Sequence, residues 1–516
     1  MSGGIIQLAA RGVEDLYLTE DPQITFFKTI YRRHTNFAIE TIPQYFSHKP
    51  DFEKKTSCTI HPDGDLISDM HLSITLPEVQ QFTNNSGIDN ITQFSWSKNI
   101  AFVLIDNIEI EINGQVINRN YGEWMYIWFE LTQKKDDGNK KMYGMVPELH
   151  EPSNGKKSYT IYVPLQFWFC KNTGMALPMV SLQYSDVKVN LQMADLKKCY
   201  NITPTHYMTL DTDIVTFTKN EYIEQTVNNV TASGKFIHHD IINKRLYYTL
   251  ISSNNFISTE ILNISTLSNL EINTELYSQN NEQYYIYGLS SKSFCMPYAN
   301  VKPKVHSYLK TPIKRLKINN CHLLIDYIYL DEEERSKFAK AKHEYILDQV
   351  SYNGQEIITN TNRTINIAMS DPTKLLVWVV QYEYLYKNND FFNYTDSYKY
   401  DAQNELPIGN SLVNDETILL CGRQRISLRN YNYFDWVQNY EHFNYYRYEG
   451  INTYSFSLYP LLSQTSGTCN MSQLSSSSLQ LNVNYKIQTS NHAYCRSYYV
   501  STKVLRISNG LSGLVF

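Results

Sequence analysis

Short segments in which apolar and polar residues alternate recur along most of this 516-residue chain. The alternation is clear in residues 70–76, 108–112 and 479–487. A period of two places one face of a strand on a core and the other face toward water. Residues 108–112 run directly into Asn113-Gly114 and a second apolar segment, which is the sequence pattern of a tight β-hairpin. The chain is therefore predicted to be all-β and to form sandwiches.

Other segments supply the remaining elements. A helix is predicted within residues 121–132, because Trp124, Ile127, Trp128 and Leu131 form an apolar stripe at helical spacing. A second helix is predicted at 332–342, where Asp331 can act as the N-cap and acidic residues precede basic ones. Apolar or alternating runs predict further strands at 159–169, 187–191, 323–330, 375–380 and 454–458.

Length and charge limit the class of protein. A chain of this length is expected to form two or three domains. Its formal charge of −5 and pI near 6.2 give no basic excess, so direct binding of nucleic acid is not expected. No apolar run approaches the roughly 18 residues of a membrane span. The N-terminus lacks the basic segment of a signal peptide, so synthesis inside the cell is expected. The 8 cysteines form no CxxC pair and are predicted to be buried free thiols.

Few residues carry recognisable chemistry. The phosphate-loop, zinc-protease and hydrolase-elbow motifs all lack their minimal residues. His238 and His239 are adjacent, and neighbouring side chains of a strand point to opposite sides, which disfavours a metal site. The acidic run 331–334 is explained by the first turn of a helix rather than by a bound cation. The sequence therefore predicts no catalytic, cofactor-binding or metal-binding residue and no enzyme activity.

Two segments have the composition of contact surfaces. Residues 17–37 mix apolar and basic side chains without a sustained period, which favours docking onto a partner, although packing on their own domain is the alternative. Within them, Arg32-Arg33-His34 is expected to contact acidic partners or lipid headgroups, the alternative being local pairing. The Tyr-rich residues 431–448 favour a subunit interface over a ligand site. Residues 201–310 lose the long-range pattern and are interpreted as a large insertion with some strands of its own.

Several collinear motifs resemble the double jelly-roll major capsid proteins of nucleocytoplasmic large DNA viruses. The N-terminal ones are PQITFFKTIYRRHTNF (22–37), preceded by GGIIQLAARG (3–12), and HPDGDLISDMHLSITLP (61–77). The match continues through IEINGQVINRNYGEW (110–124), the distinctive VPLQFWFCKNTGMALPMVSLQYSDVKVN (163–190), and residues 323–350, 371–380, 433–440, 451–483 and 504–516. Nearly the whole chain outside the insertion is covered.

The resemblance implies an all-β fold of two eight-stranded jelly rolls with short helices and a large loop insertion in the first roll. The implied division is an N-terminal arm (1–24), a first roll (25–331) with its insertion at about 201–310, a linking helix (332–342), and a second roll with the C-terminal segment (343–516). Because the insertion precedes the last strand of the first roll, it is expected at the same end as the other long loops.

The resemblance also implies a function and partners. The protein would be a structural component of an icosahedral capsid, forming homotrimeric, pseudohexameric capsomers that tile the outer shell of the virion. Its partners would be copies of itself, neighbouring capsomers, and minor capsid proteins or an internal membrane contacted by the arm, with assembly in the host cytoplasm. The alternatives are a divergent minor capsid paralogue, to which Asp371 and the long insertion point, a carbohydrate-binding jelly-roll module, and a jelly-roll enzyme.

Overall fold

The computed structural model describes residues 3–29, 31–84, 87–89, 91–132, 139–212, 214–259, 282–306, 313, 316–401, 406–443, 449–489 and 491–515. Within these residues the chain forms two antiparallel β-sandwiches, a separate seven-stranded antiparallel sheet, and two strand pairs, one of which joins Thr83–Asn84 to Gly87–Ile88. The all-β prediction is confirmed.

The first sandwich has eight main strands among the described residues, arranged as two sheets of four. One sheet has the order Phe37–Tyr45, Asn320–Leu330, Leu66–Leu76, Tyr159–Pro164, with the short Leu177–Pro178 also on Leu66–Leu76. The facing sheet has the order Lys55–Thr59, Val187–Met193, Ile105–Ile112, Gln115–Tyr121. The alternating apolar residues of 70–76 and 108–112 point into the space between the sheets and are buried there.

The predicted hairpin and helix both form. Ile112 pairs with Gln115, and the turn residues Asn113 and Gly114 have φ of 52° and 80°, the left-handed values that a two-residue hairpin of this kind needs. The helix is Gly122–Thr132, with all four residues of the predicted stripe at least half-buried. Its first residue must be glycine, because a Cβ there would lie 2.1 Å from the Phe102 carbonyl oxygen.

Three predicted strands end earlier than expected. The strand predicted for 159–169 stops at Pro164, and Trp168–Cys170 is a 3₁₀ turn whose aromatic rings fill the core. Proline lacks the amide proton that would continue the ladder. The strands Ile451–Ser455 and Ser477–Val483 likewise end before the last alternating residues of 454–458 and 479–487. In these segments the apolar residues beyond the end of the strand lie in turns, where they pack locally or remain exposed.

The second sandwich repeats the same arrangement. One sheet has the order His343–Ile358, Ala493–Ser508, Pro372–Tyr382, Ile451–Ser455, extended by Cys469–Asn470 and Leu511–Leu514. The facing sheet consists of Asn362–Asn366, Ser477–Val483, Val413–Leu420, Arg423–Gln424 and Arg429–Asn430. If the two short edge pieces are taken as one interrupted strand, this sandwich also has eight main strands among the described residues.

The continuous apolar run 375–380 is explained by burial on both faces of its strand. Leu376, Trp378 and Val380 point into the core of the second sandwich. Val377 and Val379 point the other way and pack in the core that the second sandwich shares with the first. When both faces of a strand are buried, its apolar residues are consecutive in the sequence instead of alternating with polar ones. This sheet therefore lies between the core of the second sandwich and the core that the two sandwiches share.

The insertion is more ordered than its sequence suggested. Seven short strands form one antiparallel sheet in the order Phe294–Cys295, Ile286–Gly288, Tyr222–Val227, Val230–Asp240, Arg245–Leu250, His206–Thr209, Lys304–Val305. The sheet has a core of its own, including Phe236, Tyr248 and Phe256. The segment Tyr200–Thr203 attaches it to the first sandwich by pairing with Gln93–Trp96. Residues 260–281, within the predicted insertion, lie outside the described residues.

In the first sandwich the long connections leave from one end. Those that follow Tyr45, Leu76, Tyr121 and Met193 all begin there, so the insertion, which follows Met193, starts beside the other long loops as expected. We call it the loop end. The opposite end, called the arm end, carries the described residues before Phe37 and the helix Glu332–Lys340. The second sandwich has the same direction, because Ser185 and Tyr184 of the first contact Gly510 of the second at the arm end.

The helix Glu332–Lys340 begins where the sequence predicted. The Asp331 carboxylate accepts a hydrogen bond from the Glu334 amide at 2.9 Å, which is an N-cap. Phe338 packs on a small apolar cluster of the first sandwich, and Arg335 Nε lies 2.9 Å from Asp65 Oδ1. The helix is thus fixed to the first sandwich before the chain enters the second.

The remaining helices are short. The α-helices are Gly3–Ala9, Val13–Thr19, Ile100–Val103, Asn139–Met142, Pro147–His150, Leu196–Cys199, Glu383–Lys387 and Gln438–His442. The 3₁₀ turns besides Trp168–Cys170 are Thr173–Met175, Met179–Ser181, Glu282–Tyr284 and Met471–Gln473, and Tyr433–Val437 is a π-helix. In the described part of the chain, no helix has both the length and the apolar character needed to cross a membrane. All eight cysteines are free; five are buried and two partly buried, whereas Cys421 is exposed, so the prediction of buried thiols is wrong for that residue.

Candidate functional site at the junction of the two sandwiches

Aromatic side chains join the two sandwiches over a wide contact. Tyr126 of the first sandwich stacks on Phe392 of the second with ring centroids 4.1 Å apart. Tyr121 and Trp124 contact the Tyr498 ring at 6.2 and 5.8 Å. Such pairs add to the free energy gained by burying their area. The two sandwiches therefore behave as one packed unit rather than as domains on a linker.

A buried ionic cluster lies within this contact, and we call it the Glu123 cluster. Glu123 stands in the first turn of helix Gly122–Thr132 and receives Arg496 Nε at 2.9 and 2.8 Å and Nη2 at 2.7 Å. The hydroxyls of Tyr498 and Tyr394 donate to the same carboxylate at 2.6 and 3.1 Å. Arg496 also donates to Gln381 Oε1 at 2.8 Å.

The electrostatics of the Glu123 cluster favour the charged pair. The Arg496 side chain is only 4% exposed. Burial alone would lower its pKa, but the adjacent Glu123 carboxylate outweighs this and raises the pKa of Arg496. Burial, with Glu123, raises the pKa of Tyr498, which therefore remains a hydrogen-bond donor at all ordinary pH values. The cluster acts as a polar clamp between the sandwiches.

A second ionic group, the Asp348 cluster, lies toward the arm end. Lys374 Nζ lies 2.7 Å from Asp348 Oδ1, and Lys171 Nζ of the first sandwich lies 3.3 Å from Oδ2. Asn118 of the first sandwich donates to the Asp348 carbonyl at 2.7 Å. Burial would raise the pKa of Asp348, but the two lysines hold it below its usual value. Both clusters thus bridge the same two sandwiches.

The arm, a name used from here on for all described residues before the first strand at Phe37, leaves its apolar side chains exposed to solvent. Tyr17 is 90% exposed, Phe26 is 89% exposed and Phe27 is 98% exposed. The alternative that residues 17–37 pack on their own domain is therefore wrong for the described residues of this segment. No ion pair to Arg32 or Arg33 is found among the described residues, and His34 contacts only the neighbouring Thr35 carbonyl and the Phe37 ring. The first strand begins at Phe37.

The other candidates from the sequence resolve as follows. His238 and His239 lie on strand Val230–Asp240, beside a bulge, and no group of three or more possible metal ligands occurs among the described residues. Burial lowers the pKa of His239, which favours its neutral form.

The acidic run 331–334 is the first turn of a helix. In 431–443, Phe434 and Asp435 are buried, whereas Tyr440 is 87% exposed. Residues 444–448 of that Tyr-rich segment lie outside the described residues.

No pattern in the sequence indicated the Glu123 cluster. Glu123 and Arg496 are 373 residues apart. Each sits in an ordinary pattern, Glu123 at a helix start and Arg496 between polar and aromatic residues of a strand. Which residues pair across the junction depends on how the two sandwiches pack. The spacing of apolar residues along the chain carries no information about that packing.

The fold and its contact surfaces define a double jelly-roll capsid protein, and comparison with known proteins agrees. Residues 25–240 match the family described as "Major capsid protein N-terminus", and residues 334–513 match "Large eukaryotic DNA virus major capsid protein". The chain is 39% identical over its whole length to "Probable capsid protein 4" of Acanthamoeba polyphaga mimivirus, covering 99% of that protein. It is 29% identical to the major capsid protein of Phaeocystis pouchetii virus, with both chains fully covered.

Solved structures share the architecture. The capsid protein in the "PBCV-1 virus capsid, quasi-atomic model" superposes with a TM-score of 0.60 at 21% identity, covering 95% of this chain and 100% of that one. The Faustovirus major capsid protein superposes with a TM-score of 0.63 at 10% identity, covering 96% and 94%. At these identities the likeness concerns the fold. By sequence, the chain belongs to the family of large eukaryotic DNA virus major capsid proteins, and it is a component of the virion capsid.

Proposed function

We propose that this protein forms homotrimeric capsomers of pseudohexameric outline that tile the outer shell of an icosahedral virion. The observation that carries the proposal is the pair of eight-stranded sandwiches lying side by side in the same direction, locked by the Glu123 and Asp348 clusters. Three such chains around an axis would present six similar sandwiches. A cyclic trimer also closes its contacts without growing into fibres.

Exposed side chains support association between copies. Phe37, Ile39 and Tyr45 are more than half exposed on an edge strand of the first sandwich, and Tyr440 is exposed on the second. Aromatic residues are enriched in the contacts of stable assemblies. Obligate interfaces bury roughly 2,000 Å² or more of surface. A stable assembly would therefore need a broad contact between chains that includes more than these few exposed side chains. We propose that the Tyr-rich residues 431–448 belong to such a contact.

The expected mass of the purified full-length protein is that of a trimer, about three times 60.3 kDa, by light scattering behind size exclusion. Negative-stain class averages of the same fraction should show a six-lobed outline. A stable monomer with a native melting curve would contradict the homotrimer. It would favour either a minor paralogue that assembles only beside its partners or a carbohydrate-binding module.

The arm is proposed to contact minor capsid proteins or an internal membrane. It leaves the molecule at the end opposite the insertion, and its large apolar side chains, Phe26 and Phe27 among them, are exposed. The loop end would then face outward, and the insertion would form the surface most distant from the inner layer. The division of the chain at residues 24, 331 and 342, and assembly in the host cytoplasm, stay predictions.

Replacing Phe26 and Phe27 by serine tests the arm directly. Both side chains are almost fully exposed, so the free energy of unfolding should change by no more than about 0.5 kcal/mol. Flotation with vesicles containing anionic lipid should fall several-fold, because apolar insertion and basic attraction act together. A matched control is Ile242→Ser, an exposed apolar side chain in the insertion, away from the arm end. Equal flotation of the arm variant and the control would contradict membrane contact by the arm.

A further inference from the structure

A cavity of about 460 Å³ lies at the loop end, where three parts of the chain meet. The first sandwich supplies Trp96 and Lys98, the insertion supplies Tyr222 and Lys235, and the second sandwich supplies the 387–400 region. Its volume falls within the range of about 300 to 1,000 Å³ typical of small-molecule sites. Neither the capsid fold nor the two ionic clusters require an open space here.

Hydrogen bonds between the three parts hold the cavity open. The Asn388 side chain donates to the Ile251 carbonyl of the insertion at 2.7 Å. The Asn389 side chain donates to the Lys197 and Tyr200 carbonyls at 2.8 and 2.9 Å. A ligand would therefore meet walls that are already in place, which lowers the entropy lost on binding.

The charge of the lining is strongly one-sided. Four lysines line the cavity, namely Lys98, Lys197, Lys235 and Lys387, against the single carboxylate of Asp390. That carboxylate already accepts hydrogen bonds from the Tyr400 hydroxyl and from Asn393. Lys387 is paired with Glu383 at 2.9 Å, outside the lining. The cavity is thus suited to a ligand that carries negative charge.

Among the four lysines, Lys235 is the one whose position most favours the binding of an anion. Its side chain is partly buried, and no hydrogen bond or ion pair to its ammonium is found among the described residues; the Tyr222 ring lies 5.9 Å away and Glu151 acts only at a distance. Burial lowers the pKa of Lys235, with Glu151 opposing. A partly buried ammonium without a bonded anion loses hydration that a bound anion would replace.

The rest of the lining favours a hydroxylated ligand over a flat one. Lys98 covers the Tyr400 ring at 2.9 Å from its centroid, and the Tyr222 and Tyr398 rings are tilted by 56° to each other. These tyrosines offer no parallel pair of faces for a base. Amide and hydroxyl side chains are instead distributed around the wall, as a ligand with hydroxyls on several sides requires.

We propose that this cavity binds an acidic saccharide, one that carries sulfate or carboxylate groups. Lys235, with Lys197 at the rim, would meet the anionic group, and the surrounding amides and hydroxyls would meet the ring hydroxyls. Binding itself does not depend on the capsid role. That the cavity would face the outside of a shell rests on the proposed function.

The test is calorimetry on the purified full-length protein at constant ionic strength, since salt screens charged contacts. The probes are a fully sulfated heparin disaccharide, a neutral disaccharide of N-acetylglucosamine, and sodium sulfate. The sulfated disaccharide should bind at least about tenfold more tightly than either of the others, because only it offers both an anionic group and ring hydroxyls. Equal binding of sodium sulfate would mean a simple anion site and overturn the saccharide proposal, as would equal binding of the neutral sugar or no binding.

The variant Lys235→Met should weaken binding of the sulfated disaccharide at least about tenfold. Lys304→Met is the matched control, an exposed lysine on the same sheet outside the cavity, and should change affinity less than twofold. If Lys235→Met does not fold, Lys197→Met at the exposed rim takes its place, with several-fold weakening expected. Wild-type affinity in the folded cavity variants would overturn the proposal. The mass of each variant, measured separately, shows whether assembly failed instead.

Discussion

Replacing Arg496 by methionine is expected to lower the free energy of unfolding by about 3 to 5 kcal/mol, the cost of breaking a buried ion pair by removing one partner. Methionine keeps much of the length and apolar volume of the side chain. What it loses is the ionic contact with Glu123 and the hydrogen bond to Gln381. The Glu123 carboxylate, 17% exposed, then keeps only two tyrosine hydroxyls. The measurement is urea unfolding at a fixed protein concentration.

The same strand offers a matched control. Arg506 pairs with Glu344 at 2.7 Å, as close as the Arg496 pair, but both side chains are more than half exposed. Arg506→Met should therefore cost no more than about 1 kcal/mol, the usual worth of a surface pair. Equal losses for the two variants would mean that the Glu123 cluster does not hold the sandwiches together.

A double-mutant cycle separates the pair from its surroundings. Glu123→Gln alone should also destabilise the protein, because it leaves the Arg496 guanidinium buried without its carboxylate. The double variant should be more stable than the sum of the two single losses predicts, by at least about 1 kcal/mol. Strict additivity would show that the two residues act independently.

The parts of the fold that could be predicted from the sequence are the strands that bury one face and expose the other. Residues 70–76 and the hairpin at Asn113-Gly114 have a core face and a solvent face, so their pattern reports their place. The helix cap at Asp331 is equally local. These features depend on near neighbours in the chain, and the structure confirms them.

The insertion and the junction were not predictable in the same way. The strands of the insertion are short and partly polar, and they form a sheet because non-adjacent segments pair, as His206–Thr209 does with both Arg245–Leu250 and Lys304–Val305. The Glu123 cluster and the cavity each combine residues that are hundreds of positions apart. No local period reports such contacts. The bare arm, in contrast, was visible as a segment without a sustained period.

Glu416 also escaped notice in the sequence, where it stands within an ordinary strand pattern. In the structure it is fully buried in the core of the second sandwich. Trp378 Nε1 donates to its Oε2 at 2.7 Å, and Oε1 has no partner among the described residues. Burial, with the nearby Asp435 and Asp415, raises the pKa of Glu416 well above its usual value despite the hydrogen bond from Trp378. The folded protein therefore keeps a proton on this carboxyl that the unfolded chain releases.

Glu416→Gln is consequently expected to change how stability depends on pH. Above the unfolded pKa of about 4.3, the wild type holds one more proton when folded, so its free energy of unfolding falls by about 1.4 kcal/mol per pH unit from this group. The contribution is fully present below that pH and is lost as the pH rises toward the folded pKa. Glutamine does not titrate and can still accept the hydrogen bond from Trp378. Measured from pH 5 to pH 8, the stability of the variant relative to the wild type should therefore rise with pH until the pH passes the folded pKa of Glu416.

The measurement is the free energy of unfolding of both proteins across that range, because their difference cancels every other titrating group. Glu344→Gln is the control, since Glu344 is more than half exposed and its surface pair with Arg506 is worth no more than about 1 kcal/mol. A flat difference for Glu416→Gln would contradict the prediction, because it would mean that the buried carboxyl is ionised in the folded protein. A steady gain would show that the second sandwich carries a neutral acid in its core and loses stability in alkaline conditions for that reason.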